Sequence, residues 1–134
     1  MQFSFAPIGF VRTGIAKEDV PRHFSDSDAV GSIEIAKRYL QGIRDIRAGD
    51  EIYVIFVFHE SPPFSSASLM QVPALRREPK GVFSIGSPRR PNPIGLSIVK
   101  VLEVADTRIK VQGIDMFDGT PVLDIKPCIA HRHG

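Results

Sequence analysis

The sequence predicts a mainly β, barrel-like domain, on three observations. Its 134 residues include 11 glycines and 11 prolines, a turn-rich composition that suits short strands over long helices. The run Ile52-Tyr53-Val54-Ile55-Phe56-Val57-Phe58 is β-branched and aromatic throughout, the composition of a strand at the centre of a sheet. Two further apolar runs, residues 96–104 and 109–114, flank an Asp106-Thr107 turn and read as an antiparallel pair. The length fits one domain over residues 1–134, with one or two short helices and long proline-rich loops.

Taken in order, residues 5–13 read as a first strand around Gly9. A polar loop follows through Val20-Pro21-Arg22-His23-Phe24 and the Ser25-Asp26-Ser27-Asp28 cluster. Residues 32–39 alternate, with Ile33, Ile35 and Lys37 on one face and Ser32, Glu34 and Ala36 on the other. Residues 40–46 suit a short helical turn before Ala48-Gly49-Asp50. The strand 52–58 is apolar on both faces, which predicts burial from both sides, and it breaks at Ser61-Pro62-Pro63. Residues 61–80 carry four prolines and little periodicity, the mark of a functional or mobile loop. Residues 82–85 read as a short strand. A last hairpin is expected to turn at Asp118-Gly119 and run through residues 122–125.

Composition narrows the function. A net charge of +2 is low for a protein that grips long duplex nucleic acid by charge alone, although Arg76-Arg77 and Arg89-Arg90 are local basic clusters. A single cysteine, Cys128, excludes an internal disulfide framework and fits a reducing compartment. The N-terminus has no signal-peptide pattern, and no apolar run is long enough to cross a bilayer, so a soluble, cytoplasmic protein is expected. Cys128, His131 and His133 lack a second cluster at ligand spacing, so no metal site is expected. No G-x-G-x-x-G, Walker loop, G-x-S-x-G or H-E-x-x-H occurs, which leaves a doubly wound cofactor fold without support.

Three segments carry chemical interest. Ser87-Pro88-Arg89-Arg90-Pro91-Asn92-Pro93-Ile94-Gly95-Leu96 holds three prolines in six residues, so its backbone is nearly rigid before tertiary contacts form. Such a loop is either a stiff corner or a preorganised binding segment that fixes Arg90 and Asn92. In the run 114–127, Asp124 and Lys126 share a strand face, either as a surface ion pair or as a charged pair lining a cavity. His59 and Glu60 end the most apolar strand, where a histidine is either a capped core-edge group or a catalyst.

The chain resembles the TsaA-like family, also called TrmO-like or YaeB-like. The resemblance is carried by Phe56-Val57-Phe58-His59-Glu60, by Gly81-Val82-Phe83 with Arg90-Pro91-Asn92-Pro93-Ile94-Gly95, and by Asp118-Gly119-Thr120-Pro121-Val122 with Asp124-Ile125-Lys126-Pro127. Ile8-Gly9 and Val20-Pro21-Arg22 fit as well, so the match runs in order over nearly the whole chain. The resemblance implies a barrel-like domain that binds S-adenosylmethionine, pairs as a homodimer and methylates threonylcarbamoyl-adenosine beside a tRNA anticodon.

It also assigns roles to residues. Pro21, Arg22, His23, His59, Glu60, Leu96, Gln112, Gly113, Ile114 and Asp115 fall at cofactor-contacting positions. For a direct methyl displacement, Arg89, Arg90, Asn92 and Asp118 are the candidates to hold the acceptor, and Asp124, His59 and Lys126 are the candidates for the catalytic groups. His23 and Glu60 stand where the family tends to have glutamine, Gly86 where it has arginine, and Cys128 where it has tyrosine. These departures leave two alternatives beside tRNA methylation. One is a cofactor-binding paralogue with another RNA or a small molecule as acceptor; the other is a non-catalytic module for an adenosine-type ligand.

Overall fold

The computed structural model describes residues 1–14, 28–73 and 77–129. The loop stretch that contains Pro21, Arg22 and His23 lies outside them, as do Arg76, His131 and His133.

Among the described residues eight strands form: β1 (Gly9–Arg12), β2 (Val30–Ile35), β3 (Glu51–Val57), β4 (Met70–Gln71), β5 (Lys80–Gly81), β6 (Ile94–Ala105), β7 (Arg108–Gln112) and β8 (Pro121–Pro127). Six of them close into a barrel in the order β1-β2-β7-β6-β3-β8, while β4 and β5 make a separate two-stranded piece. Every neighbouring pair in the barrel is antiparallel. The closing pair is the shortest, with Gly9 opposite Val122 and Phe10 opposite Pro121.

The period-2 pattern explains the core. Val11, Ile33, Ile35, Ile52, Val54, Phe56, Val99, Val101, Ile109, Val111 and Val122 point inward and are buried. The outward residues of β3, Tyr53, Ile55 and Val57, are only half-covered. The expectation that this strand is buried from both sides is therefore corrected, because a barrel wall has one dry face.

Gly95 shows how tightly the upper barrel packs. The Phe56 ring from the paired strand lies across it, and a Cβ there would run into the ring. Phe56 in turn meets Phe58 edge-on, with ring centroids 5.1 Å apart. The glycine thus lets an aromatic fill the barrel mouth.

Three other expectations change. Residues 37–39 leave the second strand for a 3-10 segment, Lys37–Ile43, which takes the place of the expected helical turn. Val82–Ser84 is a 3-10 turn, not a strand. The chain turns at Asp118-Gly119, where Gly119 adopts a positive φ of 83°, but β8 does not return along β7. It crosses to pair with β3 and β1 instead. The hairpin expected at Asp106-Thr107 forms, with Ala105 opposite Arg108.

The alternating strand directions sort the connections by end. The C-terminal ends of β1, β3 and β7 and the N-terminal ends of β2, β6 and β8 all lie at one end, the mouth. The β2–β3 connection and the β6–β7 turn lie at the other.

Candidate functional site

A cleft of about 540 Å³ opens at the mouth. Its walls come from the end of β3 (Phe58, Glu60, Ser61, Pro62), the β3–β6 connection (Ala67, Ser68, Met70, Gln71, Val72), the proline loop (Ser87, Pro88, Arg89) and Phe117 of the β7–β8 connection. The size suits a small-molecule ligand, and the mix of apolar faces with a few polar groups is usual for such sites.

Hydrogen bonds tie these walls together. Ser61 Oγ donates to the Pro88 carbonyl at 3.1 Å, joining the strand end to the proline loop. Gln71 Nε2 donates to the Ser68 carbonyl at 2.6 Å and to the Arg89 carbonyl at 2.8 Å, joining the outer wall to the same loop. The Phe58 N–H donates to the Pro93 carbonyl at 2.8 Å. Polar side chains thus satisfy loop carbonyls that no strand could reach.

Arg90 holds the proline loop from within. Its Nη1 donates to the carbonyls of Ile85 (2.9 Å) and Ser87 (3.0 Å), clasping the chain across Gly86. Gly86 itself is exposed, and a Cβ there would meet open space. Asn92 accepts from the Ile94 N–H at 2.7 Å through its backbone carbonyl and is exposed.

The β7–β8 connection is stitched to the barrel at several points. Ser97, buried on the inner face of β6, donates its hydroxyl to Asp115 Oδ1 at 2.6 Å. Burial pushes the Asp115 carboxyl above its ordinary range, and the Ser97 hydrogen bond opposes that rise in part. Thr120, also buried, donates to the Phe117 carbonyl at 2.8 Å. Asp118 Oδ1 accepts from the Thr13 N–H at 2.9 Å, which fixes the exit of β1. Gly113 takes a positive φ of 102°, and its N–H and that of Ile114 donate to the Ala29 carbonyl at 2.9 and 3.1 Å. So held, Phe117 lines the cleft and packs against His59, with ring centroids 5.2 Å apart.

The expected site residues fall into groups. His59, Glu60, Arg89, Arg90, Asn92, Gln112, Gly113, Ile114, Asp115 and Asp118 all stand at the mouth end. Glu60 and Arg89 line the cleft, and His59 touches it through Phe117. Leu96, Asp124 and Lys126 lie on the outer wall, where Leu96 and Asp124 both pair with Ile55 and Lys126 pairs with Tyr53. Asp124 Oδ2 and Lys126 Nζ form an exposed ion pair at 3.1 Å. They border a second groove of about 530 Å³ on that wall, together with Tyr39, Ile52 and Cys128.

Sequence reasoning missed Phe117, Met70, Gln71 and Ser97. Phe117 lies inside a segment already singled out. The other three face inward or sit in an aperiodic loop and carry no local signal.

A small antiparallel barrel with a ligand-sized cleft at one end defines a binding-barrel class of protein. Comparison narrows the class. A family model described as the tRNA-methyltransferase O N-terminal domain matches residues 13–132, and the chain belongs to that family. An S-adenosyl-L-methionine-binding protein of Archaeoglobus fulgidus is 41% identical over 121 residues, covering 90% of this chain and 85% of that protein. The human tRNA (adenine(37)-N6)-methyltransferase is 39% identical over 130 residues, covering 92% of this chain but 30% of its own length. A crystal structure of TrmO from Pseudomonas aeruginosa superposes with a TM-score of 0.75 at 28% identity, covering 96% of this chain and 57% of that one. The chain thus spans under two thirds of the solved structure and less than a third of the human enzyme. Among the described residues no helix is long and apolar enough to cross a membrane.

Proposed function

We propose that the chain binds S-adenosylmethionine in the mouth cleft and transfers its methyl group to a tRNA adenosine beside the anticodon, with threonylcarbamoyl-adenosine as the acceptor. The observation that carries this reading is the cleft itself. It is bounded by the end of β3, the proline loop and the β7–β8 connection, which hold the segments that carry the family resemblance. The residues fit the cofactor: Phe58, Met70 and Phe117 offer apolar faces to a flat ring, and the serines and Gln71 offer hydrogen bonds to hydroxyls.

When bound, the cofactor supplies a methyl group on a positively charged sulfur, which a nitrogen nucleophile removes in a single displacement. The protein's part is alignment and exclusion of water. Phe117 and His59 form an aromatic rim beside the cleft, and the hydrogen bonds of Ser61, Gln71 and Arg90 keep its walls from collapsing. His59 and Asp124 remain groups proposed to take the acceptor proton, with Lys126 proposed to hold the acceptor.

Asp124 and Lys126 stand on the outer wall, so a homodimer is the arrangement that lets them serve a site. A second copy would lay its β3–β6–β8 wall across the mouth of the first. Exposed Ile94 and Leu96 on that wall, and exposed Phe83 in the turn between β5 and β6, support such pairing.

Calorimetric titration with S-adenosylmethionine and S-adenosylhomocysteine, followed by transfer of labelled methyl to total tRNA, tests the reading. Binding with transfer to one adenosine supports it. Binding without transfer to any RNA favours a paralogue with another acceptor, or a non-catalytic module. No binding at millimolar ligand removes the cofactor assignment.

A further inference from the structure

The mouth cleft carries two opposite charges, and their placement bears on which end of a ligand goes where. Glu60 and Arg89 are its charged lining residues. They stand on adjoining segments, because Ser61 Oγ donates to the Pro88 carbonyl at 3.1 Å and each residue is the immediate neighbour of one partner in that bond. Arg89 is held at its root from both sides: its N–H donates to Ser87 Oγ at 3.2 Å, and its carbonyl accepts from Gln71 at 2.8 Å. The ion pairs among the described residues are Arg44–Asp45, Lys80–Glu78, Arg108–Glu34 and Lys126–Asp124, so neither Arg89 nor Glu60 is neutralised by a neighbour.

An unpaired guanidinium and an unpaired carboxylate on linked segments, beside apolar walls, match a ligand with a zwitterionic end and a flat end. We propose that Arg89 and Glu60 receive the α-amino acid end of an S-adenosyl ligand, Arg89 taking the carboxylate and Glu60 the ammonium. This rests on the cofactor reading above, adds the orientation of the ligand within the cleft, and gives Arg89 to the cofactor in place of the acceptor role expected from the sequence. The planar guanidinium fits a carboxylate through two parallel N–H···O bonds, which an ammonium cannot reproduce. Glu60 also works against a polyphosphate occupant, whose charge it would repel. The adenosyl part is then left to Phe58, Met70 and Phe117.

The test is calorimetric titration of the whole chain with two ligands, S-adenosylhomocysteine and 5′-methylthioadenosine. The second keeps the adenosyl and sulfur parts and lacks the amino acid. The wild-type protein is expected to prefer S-adenosylhomocysteine by about tenfold or more, the range of a charge-assisted contact. Arg89→Ala should erase that preference while leaving methylthioadenosine affinity unchanged, and Arg89→Lys should restore part of it. Equal wild-type affinity for the two ligands would overturn the assignment, as would an Arg89→Ala loss equal for both. A wild-type protein that takes neither ligand overturns the cofactor reading and this orientation with it.

Discussion

Asp115 is a carboxyl that folding places in an unfavourable medium and then partly rescues. Burial raises its pKa above the ordinary value of 3.8, and the Ser97 hydroxyl draws it back only in part. The folded state therefore holds its proton more tightly than the unfolded chain does. The stability from this group is complete below the unfolded pKa and is lost as pH rises through the folded one. Asp115→Asn should then raise the melting temperature near neutral pH, and the gain should shrink as pH falls towards 4. Melting curves across that pH range check this; a gain that does not vary with pH would mean that ionisation of Asp115 does not set the cost. Glu34 runs the opposite way, since hydrogen bonds from Thr107 and Arg108 lower its pKa on the exposed wall. Residue-scale facts of this kind were the least legible in the sequence. Nothing local to Ser97 or Asp115 says that a fold brings them to 2.6 Å across an 18-residue separation.

Among the elements, the strands were far more legible than the loops. The run 52–58 declares itself by its β-branched and aromatic composition, and the pair around Asp106-Thr107 by a turn set between two apolar runs. The 3-10 segments were misread because an extended reading was carried past the last ladder bond, at Lys37-Arg38-Tyr39 and at Val82-Phe83-Ser84, where the chain coils into short turns instead. The partner of β8 could not be read locally at all, because pairing with β3 and β1 is set by barrel closure and not by the nearest turn. The proline loop was legible as rigid, but its clasp was not. Arg90 turns back onto the carbonyls of Ile85 and Ser87, so part of its guanidinium is spent on the loop itself. Replacing it by methionine keeps the aliphatic stem and removes both bonds. Arg90→Met should speed amide hydrogen exchange several-fold over residues 84–90 and leave the barrel strands unchanged. Exchange that rises equally in β3 and β8 would show that the clasp supports the whole fold instead.

For the whole molecule, the mouth gathers the described residues of the strand end at His59-Glu60, the proline loop and the β7–β8 connection, while Leu96, Asp124 and Lys126 stand on the outer wall. In the proposed dimer, their place on the outer wall makes the site complete only on association. Leu96 is 57% exposed and Phe83 77%, a strong apolar presence for a surface left to water. Light scattering on the purified chain is expected to give a dimer, and Leu96→Asp to shift it to monomer while preserving the β-sheet circular dichroism. A wild-type chain that stays monomeric at tens of micromolar would remove the dimer and, with it, the catalytic part proposed for Asp124 and Lys126.

The short seam between β1 and β8 also bears on how the protein comes into being. Its paired residues, Gly9 with Val122 and Phe10 with Pro121, lie more than a hundred positions apart in the chain. A ribosome must therefore deliver β8 before the first strand can find its second neighbour. Contacts of such long range slow folding, to about milliseconds to seconds in barrels of this kind. Until then β1 and β3 each present an open edge, and the mouth, whose walls hang on both sides of that seam, has no fixed shape. The cleft would be among the last features to take form during synthesis.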